Sequence, residues 1–320
     1  MEAENKHVKQ RRVFYADFES SINPMTGEHE FMSYGLYDTA AKKYMCDYDL
    51  SRMFYYLLND VWFCPEDHFY IYFHNAMNYD ANFILRYVLK TKECENWGIK
   101  VIMKSSNRLQ KLVFYVTKNE RRKVIHIVDT YLFLTMSLEK IVSSIRKDNL
   151  FTNQENFHRF FEVFHRRYPC VSDEDIDHIL RKNIFPYKFF TDSSKLDTPM
   201  AEFIEIFEPR EANLVYFGEK VKLQDLENSY RDTSHVIDVF DCTDARDYHD
   251  LYLCCDVMQL ADVFERTMNI LWESHHIHLT RYLGMPSASW AAFLRHDPSM
   301  KIPLYQNTFF AEFFKSVSQC

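Results

Sequence analysis

The stretch VFYADFE, residues 13–19, joins an apolar run to two acidic residues. The apolar run predicts a buried β-strand. Because side chains two positions apart on a strand point to the same face, Asp17 and Glu19 would lie side by side where this strand ends. Two carboxylates at such a short distance repel each other unless a cation lies between them. The stretch is compatible with a strand end that carries two solvated acids, and also with half of a metal site.

A second acidic position follows a later buried strand, predicted over residues 68–74. The stretch HNAMNYD, residues 74–80, places Asp80 at the turn between that strand and a helix over residues 82–89. Aspartate is favoured at a helix N-cap, which is the simpler interpretation. A metal ligand at the end of the strand is the alternative.

The third piece is YLCCD, residues 252–256, inside a long amphipathic helix predicted over residues 245–272. Tyr252 and Asp256 are four positions apart and therefore share one face of the helix. The flanking residues are mostly apolar, so the helix is expected to be mostly buried, where an aspartate needs a partner or a metal. An aspartate on a solvated polar stripe is the alternative.

Together the three pieces are more specific than any one of them. They form the series Asp-x-Glu, Asn-x₃-Tyr-Asp and Tyr-x₃-Asp. Four carboxylates suit two divalent cations such as Mg²⁺ or Mn²⁺, which prefer oxygen ligands. Two such ions about 3.5–4 Å apart can activate a water and stabilise the leaving 3′ oxygen of a phosphodiester. The series predicts a two-metal nuclease in which Asp17, Glu19, Asp80 and Asp256 hold the ions and Tyr252 orients the water.

Composition limits the class of protein. The chain has 320 residues, of which 47% are hydrophobic, enough for a sizeable core in one large domain or two ordinary ones. The net charge of −8 argues against a generic nucleic-acid binder. One local run is nevertheless basic, and we expect it to follow phosphates, with a merely solvated face as the alternative. Its members are Lys100, Lys104, Arg108, Lys111, Lys118, Arg121, Arg122 and Lys123.

The eight cysteines include no C-x-x-C pair, so a structural zinc site is not expected. Their scatter is typical of a reduced intracellular protein. The sequence has no signal peptide and no apolar run long enough to cross a membrane. We therefore expect an intracellular protein, in the nucleus or in viral or host cytoplasm. It is not expected to be secreted or to bind a membrane.

Strands followed by helices predict an α/β layer architecture. Residues 147–240 differ, because they are mixed in charge, weakly periodic and broken by prolines. We expect this region to be a partly helical insertion.

At this point the chain resembles a known family. Residues 17–20, 73–84 and 252–256 resemble the three exonuclease motifs of DEDDy proofreading nucleases. The resemblance is closer to the protein-primed family B DNA polymerases of small tailed phages, adenoviruses, linear plasmids and Maverick/Polinton elements. It implies a ribonuclease H-like mixed sheet flanked by helices and a 3′→5′ exonuclease activity in DNA replication. The histidine form of the third motif would place a histidine at position 251, where the chain has leucine, and we interpret His249 as a surface residue.

Two further segments support the resemblance. Residues 137–141 resemble the family's Ser/Thr-Leu-x₂-hydrophobic motif, which contacts single-stranded DNA or a terminal protein. Residues 182–187 resemble its Lys-Gly-x-Phe-Pro-Tyr segment, with Asn183 in place of the glycine. The resemblance implies that Lys182 steadies the scissile phosphate. The DNA contacts expected at a single-stranded 3′ end are Asn75, Tyr79, Ser137, Leu138 and Tyr187.

The resemblance also divides the chain. We expect a flexible basic N-terminus over residues 1–12, the first part of an exonuclease core over 13–146, and the insertion over 147–240. The helix of the third motif follows over 241–275, and residues 276–320 begin a connection toward a polymerase palm. The palm motifs Ser-Leu-Tyr-Pro and Tyr-x-Asp-Thr-Asp do not occur in the chain, so we expect a truncated member without polymerase activity. A stand-alone nuclease acting on RNA or DNA and a non-catalytic nucleic-acid-binding remnant are the alternatives.

Overall fold

The computed structural model describes residues 11–23, 25–78, 80–105, 108–148, 150–181 and 184–296. Seven strands in this part of the chain form one sheet. They are β1 (Arg11–Ile22), β2 (His29–Asp38), β3 (Lys43–Asp47), β4 (His68–Phe73), β5 (Gly98–Ser105), β6 (Arg108–Lys118) and β7 (Arg121–Asp129).

The sheet is mixed, with the strand order β3-β2-β1-β4-β7-β6-β5. Its centre is parallel, because β1 pairs with β4 and β4 pairs with β7 in the same direction. The outer strands are antiparallel on both sides. The carboxyl ends of β1, β4 and β7 therefore lie at one edge, as expected of an α/β sheet that places side chains at the ends of its parallel strands.

Helices and short turns fill the rest of the described chain. The α-helices are α1 (Leu50–Tyr55), α2 (Asp80–Lys90), α3 (Leu138–Arg146), α4 (Asn153–Asn156), α5 (His158–Arg167), α6 (Asp173–Ile179), α7 (Met200–Phe203), α8 (Leu223–Phe240), α9 (Ala245–His275) and α10 (Met285–His296). One π-helical turn, Tyr56–Asp60, continues α1. The 3₁₀ turns are Ala76–Asn78, Lys92–Cys94, Thr130–Leu132, Ser193–Asp197, Ile204–Phe207, Glu211–Tyr216 and Leu279–Arg281.

Strand alternation separates two cores. On β1, Phe14 and Phe18 face a core that includes residues of α1 and α2. Tyr15, between them, faces the other core, which contains α9 and the helices of residues 150–240. Both sides of the sheet are thus covered by helices, which confirms the predicted α/β class with a mixed sheet flanked by helices.

Helix α9 explains one wrong expectation. Its apolar residues pack against both the sheet and the helices of residues 150–240, so the helix is buried on more than one side over Leu251–Phe264. His249 is completely buried, not a surface residue. Its Nε2 lies 3.2 Å from the hydroxyl of Ser33, and its ring packs against Phe190. The amphipathic pattern could not reveal that a second layer covers the outer side of this helix.

The basic run between residues 100 and 123 is also different from expectation. Lys123 is buried and donates hydrogen bonds to the carbonyl oxygens of Cys64 and Glu66, at 2.8 and 2.5 Å. Lys118 donates to the carbonyl oxygen of Leu58 in the π-helical turn, and Arg121 donates to that of Phe63 in the same loop as Cys64. Lys123 therefore holds the loop before β4, and the expectation that it follows phosphates is wrong. For Lys118, which is half-buried, and Arg121, which is exposed, that expectation stays a prediction.

Candidate active site

Three carboxylates meet where the second half of β1 lies beneath α9, and the strand continues to Ile22 beyond the end that its sequence predicts. Alternation along β1 points Asp17 and Glu19 to the face that α9 covers, and Asp256 extends from that helix. One ligand oxygen from each residue lies within 4.8 Å of the other two. Glu19 and Asp256 are buried and Asp17 is half-buried. Like charges brought this close in a partly buried site favour a bound cation.

A glycine allows this approach, and the sequence analysis did not identify it. Gly35 on β2 is the residue paired with Asp17 on β1. A Cβ atom at this position would lie 2.9 Å from Cγ2 of Val257 and 3.1 Å from Cγ of Leu253, both on α9. The absence of a side chain at Gly35 therefore sets how closely α9 approaches the strand that carries Asp17. Its signal in the sequence is a glycine inside residues 31–37, an apolar and aromatic run that predicts a strand, in a chain with only five glycines.

Asp80 begins α2 and lies in the wall of the same cavity. It is outside the group of three carboxylates that lie within 4.8 Å of one another. Burial raises the pKa of Asp80 well above its ordinary range, and the charge of Asp17 raises it further. Asp80 is therefore close enough to Asp17 to interact with it electrostatically. All four side chains are hard oxygen donors, so this donor set fits Mg²⁺ or Mn²⁺.

A fifth carboxylate, Asp129, was missed by the sequence analysis. It ends β7 and accepts hydrogen bonds from the backbone N–H groups of Asn75 and Tyr131, at 2.8 and 2.9 Å. Asn75 adopts the left-handed conformation, with φ of 66°. Asp129 thus fixes the turn that presents Asn75 at the end of β4. Its signal in the sequence is its place as the last residue of 124–129, an apolar run that predicts a buried strand.

Tyr252 and Tyr187 form a pair beside the carboxylates. Their hydroxyl oxygens lie 3.1 Å apart, and the Tyr252 ring packs 4.2 Å from that of Phe185. Burial raises the pKa of the Tyr252 hydroxyl well above its ordinary range, and Tyr187 and then Asp256 add to this effect. The Tyr252 hydroxyl is therefore neutral near pH 7. It can donate or accept a hydrogen bond beside Asp256.

A cavity of about 450 Å³ brings most of the predicted site residues together. Its lining includes Asp17, Glu19, Asn75, Asp80, Ser137, Leu138, Tyr187 and Asp256. Tyr252 lines an adjoining cavity between α6, α8 and α9, which shares Asp256 with the first. Tyr79 and Lys182 lie outside the described residues. The volume of the larger cavity is within the usual range for ligand sites.

None of the helices in the described ranges combines the length and the apolar character that a membrane-spanning helix requires.

No protein-family model matches the chain, and no curated protein matches it. Solved structures of phi29 DNA polymerase are similar to it. The complex with primer-template DNA and incoming nucleotides has a TM-score of 0.38 and 11% identity, over 82% of this chain and 34% of that chain. The complex with single-stranded DNA has a TM-score of 0.34 and 15% identity, over 43% and 24%. The binary complex with primer-template DNA has a TM-score of 0.34 and 16% identity, over 42% and 23%, so the match spans about a third or less of these polymerase chains.

Proposed function

We propose that this chain is a metal-dependent 3′→5′ exonuclease of the DEDDy type that removes nucleotides from single-stranded DNA ends. The proposal includes a ribonuclease H-like fold and a relation to the exonuclease part of protein-primed family B DNA polymerases. The observation that carries it is the convergence of Asp17, Glu19 and Asp256 within 4.8 Å. Glu19 on β1 and Asp256 on α9 are 237 positions apart in the sequence (256 − 19), in the order of the nuclease motif series.

The residues have separate roles in the proposed reaction. Asp17, Glu19, Asp80 and Asp256 would hold two Mg²⁺ or Mn²⁺ ions. When bound, such ions act as Lewis acids on a phosphodiester and lower the pKa of water. Tyr252, whose hydroxyl contacts that of Tyr187, would hold the attacking water in line with the phosphorus.

The cavity wall supports a single-stranded substrate. Asn75 at the end of β4, and Ser137 and Leu138 at the start of α3, lie on the same cavity as the carboxylates. Tyr187 is 46% exposed, so its ring is accessible to a base. A duplex holds its terminal bases in the stack, whereas a frayed strand can place a base against this ring. The proposal therefore favours single strands and mismatched ends over paired ends.

Lys182 and Tyr79 keep the roles implied by the family resemblance, as a contact to the scissile phosphate and to the DNA strand. A terminal protein is a further proposed partner, because the segment at Ser137 and Leu138 resembles a motif that contacts one. A polymerase activity is not proposed for these 320 residues, since the palm motifs are absent from the sequence.

The experiment that tests the function follows both ends of one substrate. Single-stranded DNA and RNA of one sequence, labelled at the 3′ end or at the 5′ end, are incubated with the protein in Mg²⁺ or in EDTA. We expect immediate mononucleotide release from the 3′ label and a descending ladder from the 5′ label, both only in Mg²⁺. Equal or faster degradation of RNA would support the stand-alone nuclease instead. Strand binding without cleavage in Mg²⁺ or Mn²⁺ would support the non-catalytic remnant.

A further inference from the structure

The sheet face beneath α9 carries opposite charges at its two ends. Along β1, the residues on this face are Arg11, Val13, Tyr15, Asp17 and Glu19. Arg11 and Asp17 are six residues apart, which corresponds to about 20 Å along a strand. Tyr15, Tyr70 and Tyr72 lie on this face and belong to its core. The end near Arg11 is therefore distinct from the carboxylate site.

One buried and one half-buried cation lie together at the Arg11 end. Lys111 on β6 is only 9% exposed, and its Nζ lies 5.2 Å from the centre of the Tyr70 ring. The guanidinium of Arg11 lies 5.7 Å from the same ring and donates a hydrogen bond to the hydroxyl of Thr280. Within the described ranges, neither cation forms an ion pair with a carboxylate, and Lys111 Nζ makes no hydrogen bond. Burial lowers the pKa of Lys111 to about 8, and the charge of Arg11 contributes.

Two histidines complete this end of the face. Nδ1 of His68 and Nε2 of His126 lie 3.0 Å apart, and the His126 ring stacks on Tyr70 at 4.3 Å. His126 is 9% exposed, and its Nδ1 is buried without a hydrogen-bond partner in the described part of the chain. Burial and then the charge of Lys111 lower the pKa of His126 to about 2. The surroundings of His126 are therefore electrically positive, with a polar nitrogen left unsatisfied.

Three other buried or half-buried cations pair with carboxylate or carbonyl oxygens, whereas in the described part of the chain Arg11 contacts only a hydroxyl, that of Thr280, and Lys111 has no oxygen partner. Arg12 forms a 2.6 Å ion pair with Asp38, and Lys123 donates to loop carbonyls. Arg159 lies 3.2 Å from a carboxylate oxygen of Asp262. Burying a cation without such a partner is costly. The cations around the Tyr70 ring thus carry positive charge that a bound anion would neutralise.

We propose that Arg11 and Lys111, together with the exposed Arg281 beside Arg11, form a binding site for a phosphate group. Arg281 follows Thr280 in the 3₁₀ turn Leu279–Arg281, and its charge acts on both Arg11 and Tyr70. Guanidinium groups bind phosphate oxygens in pairs, and a lysine supplies a point charge. The phosphate belongs either to a free ion or nucleotide, or to the backbone of a nucleic acid. The site is independent of the proposed nuclease function.

The test measures the unfolding temperature of the full 320-residue chain in EDTA with increasing inorganic phosphate. Sodium chloride at the same ionic strength gives the baseline. A ligand that binds only the folded state raises this temperature by an amount that depends on its dissociation constant, so we expect a rise of several degrees at saturation. Lys111→Met keeps the apolar stem and removes the charge, and should weaken phosphate binding at least about tenfold.

Lys92→Met is the matched control, because Lys92 is exposed and adjoins Cys94 of the opposite core. It should respond to phosphate as the wild type does. Arg11→Gln replaces Lys111→Met if that variant does not fold. Asp17→Asn should retain the full phosphate response, so a failure of the nuclease proposal does not affect this result.

A second arm identifies the source of the phosphate. Binding of a 12-nucleotide single strand without terminal phosphates is measured by fluorescence anisotropy in EDTA. Weaker oligonucleotide binding by Lys111→Met than by Lys92→Met assigns the site to a nucleic-acid backbone. If Lys111→Met binds inorganic phosphate more weakly but binds the oligonucleotide as Lys92→Met does, the site is assigned to a free phosphate or nucleotide. The proposal is overturned if Lys111→Met and Lys92→Met match the wild type with both probes, or if neither probe binds.

Discussion

The hydroxyl oxygens of Tyr187 and Tyr252 lie 3.1 Å apart, although 65 positions separate them in the sequence. Tyr252 is buried on α9, four residues before Asp256, whereas Tyr187 lies in the loop after α6 and is exposed at the cavity. The contact links the helix that carries a proposed metal ligand to the wall against which a DNA base would stack. A substrate held by Tyr187 would therefore lie next to the hydroxyl that the proposal assigns to the attacking water.

Replacement of Tyr187 by alanine separates a binding role from a core role. Tyr187→Ala should weaken single-strand binding by about 1–3 kcal/mol, the range found for a ring that stacks on a base. Metal binding should be unchanged. Strand affinity and unfolding temperature are measured on one preparation, with exposed Tyr55→Ala as the control. A lower unfolding temperature with unchanged strand affinity per folded molecule would mean that Tyr187 is only a packing residue.

The close approach at Gly35 predicts a coupled loss of stability and metal binding. In Gly35→Ala the new methyl group would meet Val257 and Leu253 on α9 and also the hydroxyl of Tyr44 on β3, so we expect α9 to shift away from β2. Overpacking of this kind costs about 1–3 kcal/mol. Because Asp256 moves with α9 and Asp17 does not, Mn²⁺ affinity measured by calorimetry should also decrease. Gly218→Ala is the matched control, since a Cβ atom there meets nothing within 4 Å. Unchanged Mn²⁺ affinity in folded Gly35→Ala would contradict the role given to this glycine.

Lys123 should behave as a structural residue. Lys123→Met removes the donor to the carbonyls of Cys64 and Glu66, and should lower the free energy of unfolding by about 2–4 kcal/mol. The dependence of strand affinity on salt should not change, because this ammonium is buried. Arg122→Met is the neighbouring control, with an exposed side chain that contacts the Tyr115 ring. A smaller salt dependence in Lys123→Met than in the wild type would restore the phosphate-contact interpretation.

The buried Lys111 predicts a particular pH dependence. Its pKa is lowered from the ordinary value of 10.5 to about 8 in the folded protein, chiefly by burial. Between pH 8 and 10 the unfolded chain therefore binds more protons at this residue than the folded chain, so the free energy of unfolding rises with pH. Below pH 8 both states are protonated and this contribution to the slope disappears. In phosphate-free urea titrations, the wild type should gain about 2 kcal/mol relative to Lys111→Met between pH 8 and 10. A constant difference across that range would show that the pKa of Lys111 is not lowered.

The strands and the carboxylates were predictable because their signals are local. Alternation along residues 13–19 predicts that Asp17 and Glu19 share a face, and the four-residue spacing does the same for Tyr252 and Asp256. Gly35 was not identified, and His249 was misinterpreted as a surface residue. The environments of both residues depend on how closely α9 packs against β2, which lies more than 200 residues earlier in the sequence. Asp129 has an ordinary local context, and its interaction with Asn75 appears only when β4 and β7 pair.

We propose that Asp17 and its neighbouring carboxylates carry a metal-dependent exonuclease activity. The most direct test is the rate of 3′-label release from single-stranded DNA in Mg²⁺, compared between the wild type, Asp17→Ala and the exposed-residue control Asp60→Ala. Asp17→Ala should fold normally, because the change relieves repulsion with Glu19 and Asp256 in the metal-free protein. We predict that it releases label at least about a hundredfold more slowly than the wild type, as expected when a catalytic metal is lost, while Asp60→Ala is unchanged. Near-full Mg²⁺-dependent release by Asp17→Ala would contradict the claim.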